Sequence, residues 1–97
     1  MRIVLHPEAE AELDEAERWY EERAVGLGLD FLFEVDATVG RIRAFPRAWP
    51  EVRPGIRRAL VHRFPFGLLY APSQDLIYVV AVMHLSRKPG YWRDRLR

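Results

Sequence analysis

The stretch Leu76 to His84, LIYVVAVMH, constrains this chain more than any other. Its nearly unbroken apolar character leaves no face for water, so it reads as a central strand covered on both sides. The rest of the chain must supply that cover. Two shorter strands precede it: Arg57 to Phe64, ended by Pro65, and Gly67 to Ala71. Pro72-Ser73-Gln74-Asp75 has the composition of a hairpin turn. Arg2 to Leu5 reads as a further short strand, with Ile3 and Leu5 on one face.

Two helices fit between the N-terminal strand and this meander. Pro7 suits the first turn of a helix, where its missing N–H costs nothing. Glu8, Glu10 and Glu12 follow, and early negative charge complements the helix dipole. Ala9, Leu13, Ala16 and Tyr20 recur at spacings of three and four, with Ala24 extending the stripe. Gly26 and Gly28 are expected to end this helix, because glycine accepts the left-handed cap conformation. A second helix is expected from Leu29 to Ala44, with the stripe Leu32, Val35, Val39 and Ile42 and with Phe31, Thr38 and Phe45 beside it. Pro46 and Pro50 stop it and open a loop through Trp49 to Gly55. The fold class is therefore α+β. An antiparallel helical hairpin packs on a mainly antiparallel sheet in the order β-α-α-β-β-β, with the N-terminal strand added to the meander.

Ninety-seven residues make a single domain spanning 1–97. A domain of this size buries about 65% of its unfolded surface, which favours a shallow surface groove over a deep private site. Cysteine is absent, which excludes disulfides, thiolate zinc sites and thiol nucleophiles and is compatible with a reducing cytoplasm. The N-terminal MRIVLHPEAE has no long apolar stretch and does not read as a signal peptide. No apolar run is long enough to span a bilayer. The net charge of +1 conceals an asymmetry. Residues 1–51 hold six Arg against twelve Asp or Glu, and residues 52–97 hold eight Arg and one Lys against two acids. An Arg-rich half suits phosphate or carboxylate recognition, because guanidinium presents a planar fork of donors. Mutual neutralisation of the two halves within one fold would also explain it.

Glycine-rich phosphate loops, metal-ligand spacings and a Ser/His/Asp triad are all missing, so no cofactor and no metal are expected. The candidate binding residues are Arg57, Arg58, Arg63, His84, Arg87, Lys88, Tyr91 and Trp92. His84 closes the last strand, and alternation places it on one face with Tyr78, Val80 and Val82. The sequence leaves open which sheet face that is. Alternation also puts Arg63 on one face and Arg58 with His62 on the other, so these cations share one groove only if Pro65 or a bulge twists the strand. Tyr91 and Trp92 read as a hydrophobic clasp packed back on the sheet. Trp19, Tyr20 and Trp49 read as cover for the edges of the hairpin core.

Taken in order, HPEAEAELDEAERWYEERAVGLGLDFLFEV, RRALVHRFPFGLLY and IYVVAVMHLSRKPGYW resemble the RelE/ParE superfamily of type II toxin–antitoxin toxins. The resemblance covers essentially the whole chain and is strongest to the ParE-like, plasmid-stabilisation branch. It implies a small bacterial toxin of the cytoplasm, neutralised by a cognate antitoxin that wraps it. ParE-like members poison DNA gyrase without known chemistry. RelE-like members cut mRNA on the ribosome, which needs a base, an acid and cations around the phosphate. As a ribonuclease, this chain would use His84 and Tyr91 as acid or base, with Glu51 a weaker base, and Arg58, Arg63 and Arg87 as cations. Ribonuclease members resemble one another in an Arg opening the second meander strand, where this chain has Gly67. They also carry a lysine-rich segment, whereas the only lysine here is Lys88. The resemblance thus implies target binding rather than cleavage. A ribosome-dependent endoribonuclease and a degenerate toxin serving as corepressor with its antitoxin are the alternatives.

Overall fold

The computed structural model describes residues 1–96. The elements are β1 (Arg2–Leu5), α1 (Pro7–Arg23), α2 (Leu27–Ala44), β2 (Glu51–Arg53), β3 (Ile56–Leu60), β4 (Phe66–Pro72) and β5 (Leu76–His84), closed by a 3-10 turn at Arg93–Leu96. The sheet order is β1-β5-β4-β3-β2. Only β1 and β5 run parallel; the other pairs are antiparallel. The fold is the α+β architecture that the sequence implies, with one strand more. Glu51–Arg53 pairs with β3 inside the stretch expected to be loop.

The helical hairpin covers one sheet face. Ala9, Ala16, Phe31, Val35 and Ile42 from the helices meet Ala59, Phe66, Leu68, Tyr70, Ile77, Val79 and Val82 from the sheet. The other face carries a smaller cluster of Ile56, Leu69, Val80, Ala81 and Met83, covered by Trp92. Both sides of β5 are thereby buried, as its composition requires. Trp92 is 5% exposed and does pack back on the sheet, and Tyr20 and Trp49 lie against the hairpin core. Trp19 instead stays half exposed, with the Arg23 guanidinium 3.5 Å above its ring.

A bulge in β5 decides which way its C-terminal half faces. Leu69 pairs with Ala81 while Tyr70 pairs with Val79, so Val80 is one residue too many. The extra residue reverses the alternation beyond it. Ile77, Val79 and Val82 belong to the core beneath the helices, whereas Tyr78, Val80, Ala81 and Met83 belong to the opposite cluster. His84 shares the helix side with Val82, its ring 5.0 Å from that of Phe66. Tyr78 and Val80 are therefore not on the face of His84, because simple alternation does not survive a bulge.

Three element boundaries also differ from the sequence reading. Strand β3 ends at Leu60, since Arg63 takes a positive φ of 71° and turns the chain before Pro65. Phe45 is 68% exposed at the C-cap of α2 and lies outside the stripe. Helix α1 ends at Arg23 with an extended Ala24, and Gly26, at φ 88°, sits at the N-cap of α2. Gly28 then lies inside the first turn of α2 rather than at the end of α1. A Cβ there would stand 2.7 Å from the Glu17 carbonyl oxygen, so the glycine permits close approach of the two helices. The Glu21 carboxylate of α1 accepts hydrogen bonds from the Gly26 and Gly28 N–H groups, both at 3.0 Å, and so caps α2 from its neighbour.

Two glycines of the same helix give opposite expectations. Gly28→Ala overpacks a backbone contact and should destabilise the fold by about 1–3 kcal/mol. Gly40→Ala meets nothing within 4 Å and should stabilise it by about 0.5–1 kcal/mol through helix propensity. Equilibrium urea unfolding of the two variants checks both signs.

Candidate functional site

The parallel partner β1 reaches along β5 only to Val79, whose carbonyl takes the His6 N–H at 2.9 Å. Beyond it, the edge of β5 is finished by side chains. Glu12 of α1 accepts the Val82 N–H at 3.0 Å, and Arg95 donates to the Val80 carbonyl at 3.1 Å. Arg95 and Glu12 are joined by two hydrogen bonds at 2.8 and 2.9 Å, and the Tyr91 hydroxyl donates to the same carboxylate at 2.6 Å. A carboxylate has two oxygens with room for about four donors, so one Glu12 serves a strand edge, a phenol and a guanidinium at once. The clasp ties the C-terminal segment to α1.

Its electrostatics follow from those contacts. Burial alone would raise the Glu12 pKa, but the hydrogen bonds from Arg95, Tyr91 and the Val82 N–H outweigh it and hold the carboxyl below its ordinary value. Burial, and then the hydrogen bond to Glu12, push the Tyr91 hydroxyl well above its ordinary value. The Arg87 guanidinium rests 3.9 Å from the Tyr91 ring centroid and is thereby positioned at the end of the sheet.

Arg87 stands between two grooves. On the helix side, a cavity of about 480 Å³ has Ala16, Trp19, Tyr20, Phe66 and Val82 as its apolar lining, with Glu12, Glu15, His84 and Arg87 on its wall. On the opposite side, a cavity of about 470 Å³ is lined by Arg53, Arg58, Arg87 and Arg93 above Leu69, Met83 and Trp92. Among the described residues no acidic one lines this second groove. The stem of Arg58 lies across Gly67, its Cγ and Cδ 3.2 and 3.3 Å from where a Cβ would be.

The residues singled out in the sequence do not converge. Arg58, Arg87 and Trp92 meet in the basic groove. Arg57 turns away and donates to the Arg47 and Trp49 carbonyls, pinning the loop before β2. Arg63 pairs with Asp30 at 3.6 Å and Glu34 at 3.8 Å on α2. His84 faces the helices and accepts the Ser86 N–H on Nδ1 at 3.0 Å, with Ser86 Oγ 2.7 Å from the same nitrogen. Lys88 is exposed. Arg53, Arg93, Arg95 and Glu12 were not singled out. The charge asymmetry was the only sequence signal for the two groove arginines, and nothing local marks the Glu12–Arg95 pair. Among the described residues no helix is long and apolar enough to cross a membrane, and no group of three or more His, Cys, Asp or Glu could hold a metal ion.

Strand order and helical hairpin give the α+β architecture that the RelE/ParE resemblance implies. The comparisons with known proteins narrow this. The sequence profile described as the ParE toxin of type II toxin-antitoxin system, parDE, matches residues 3–89, so the chain belongs to the ParE toxin family. A solved structure described as the chromosomal ParDE TA system from P. aeruginosa has a similar fold. It matches with a TM-score of 0.66 and 18% identity, over 89% of this chain and 97% of that one. No curated protein sequence matches.

The clasp makes stability pH-dependent. A carboxyl whose folded pKa lies below its unfolded value stabilises the fold above the unfolded value, and that contribution is lost as pH falls through the folded value. Unfolding free energy measured by urea titration should therefore decline as pH drops below the ordinary Glu value of 4.5. Glu12→Gln should flatten that decline and cost about 1.5–3 kcal/mol at neutral pH by removing charge-assisted hydrogen bonds. An unaltered pH profile in the variant would locate the dependence elsewhere.

Proposed function

We propose that this ParE-family toxin acts in the cytoplasm by gripping a macromolecular target, DNA gyrase, and makes or breaks no bond itself. The observation that carries this reading is the basic groove, which gathers four arginines without an acid or a base beside them. Cleavage of RNA through its 2′-hydroxyl needs a proton acceptor, a proton donor and cations around one phosphate. His84 stands on the other side of the sheet. The Tyr91 hydroxyl is engaged by Glu12. Glu51 accepts the Gly55 N–H at 3.0 Å and lies 4.0 Å from Arg57. Three of the four groove arginines, Arg53, Arg58 and Arg93, thus stand apart from the proton-transfer groups, and only Arg87 shares a cavity with His84.

A second reading rests on Arg58. Its side chain covers Gly67, the position where ribonuclease-type relatives of the resemblance carry an arginine, so a cation from the neighbouring strand occupies similar ground. As a ribosome-dependent endoribonuclease, the chain would need His84 or Tyr91 for proton transfer. A third role, corepressor with the antitoxin after loss of toxicity, predicts no growth arrest when the chain is expressed alone.

Neutralisation is proposed to come from a cognate antitoxin whose acidic stretch reaches the Arg-rich half. An added strand or a docked helix are the usual modes for such a segment.

Purified toxin should inhibit supercoiling by gyrase and leave mRNA intact on translating ribosomes. Loss of transcripts with gyrase unaffected would establish the ribonuclease reading instead. His84→Ala should retain full toxicity on induced expression, whereas the ribonuclease reading requires its loss. Association with the antitoxin should slow several-fold or more as ionic strength rises from about 0.01 M to about 0.15 M, because the Debye length falls from about 30 to about 8 Å. Stopped-flow mixing measures it.

A further inference from the structure

We infer that the Arg53–Arg58–Arg87–Arg93 groove is built for a polypeptide segment that alternates carboxylates with aliphatic side chains, and not for a nucleic acid. The inference rests on the reading above of this face as a binding surface without chemistry, and it specifies what is bound. Three observations carry it.

The first is where the unpaired charge lies. Arg57, Arg63 and Arg95 each have a carboxylate within 4.0 Å. Among the described residues, Arg53, Arg58 and Arg87 have none, and all three line this groove. Other described arginines, among them Arg2, Arg18, Arg43 and Arg47, also have no carboxylate in reach, but only here do several such cations line one cavity. Gly90, at φ 78°, adds a fourth, since a Cβ there would stand 2.7 Å from Arg93 Nε and would displace it.

The second is the aliphatic character of the groove. Leu69 and Met83 form the floor, and Val52 and Leu85 line it while 43% and 46% exposed. Half-exposed aliphatic side chains beside guanidinium groups suit a partner with apolar side chains of its own. A sugar–phosphate backbone offers nothing for them to cover.

The third is the state of the aromatics. Single-stranded nucleic acid is held by stacking bases on open aromatic faces. Trp92 is 5% exposed. The Tyr91 ring carries Arg87 at 3.9 Å and Arg95 at 5.0 Å. Neither ring has a free face for a base, although both are present beside the cations.

The test uses the full chain and fluorescence anisotropy with three probes. One is a short peptide alternating glutamate with leucine, one is the same peptide with serine for leucine, and one is a single-stranded RNA of matched charge. The leucine peptide should bind at least about tenfold tighter than the serine peptide, as expected for burial of one or two leucines. It should also bind tighter than the RNA. Arg53→Ser with Arg58→Ser should weaken it about tenfold, within the range of two rim charges. Arg63→Ser, on the opposite side, should change it less than twofold, and thermal melts confirm that each variant is folded. RNA binding as tight as the leucine peptide, equal binding of the two peptides, or indifference to the double substitution would each overturn the inference. Gyrase inhibition is read separately, so its absence would remove the proposed target while leaving the peptide result to stand or fall alone.

Discussion

One carboxylate holds the C-terminal segment and the end of the sheet in place. Glu12 on the first helix accepts the Val82 N–H, the Tyr91 hydroxyl and two bonds from Arg95. Without it, the edge of β5 beyond Val79 would face solvent or a partner chain, since β1 stops there. Breaking the contact would also leave the Arg95 side chain, only 8% exposed, without its strongest partner. The pairing joins residues 83 positions apart. Tyr91 is fixed by the clasp, and Arg87 by Tyr91. The orientation of the basic groove thus depends on a group on the far layer of the fold.

The bulge at Val80 is the second determinant. It lets β5 present apolar residues to both layers while sending His84 toward the helices and Met83 toward the arginines. A single inserted residue separates the imidazole from Arg53, Arg58 and Arg93, and leaves Arg87 between the two grooves. The division between a basic groove and an aromatic-lined groove that holds His84 follows from that one register shift.

Much of this architecture was legible in the residues. The apolar stripes of the two helices and the unbroken strand 76–84 carry periodicity that survives any tertiary context. The C-terminal aromatics also read correctly, because a tryptophan so close to the sheet has few other ways to leave water. What stayed hidden was non-local. Strand alternation mispredicts Tyr78 and Val80 because a bulge has no local sequence mark here. Gly28 reads as a helix terminator, yet its role is a backbone contact with Glu17, visible only once the helices pack. Arg57 and Arg63 look like groove residues from charge alone, but the loop carbonyls and the acids of α2 claim them. Charge composition marked the half of the chain that carries the groove arginines and could not sort them.

The parallel pairing of β1 with β5 has a consequence for biosynthesis. Residues 2–5 find their ladder partners only at 76–79. Contacts so distant along the chain must close a long loop before they return any stabilisation. A nascent chain therefore holds its first strand unpaired until residues 76–79 have left the ribosome. The sheet, and the surface built on its end, cannot close before β5 is free to fold.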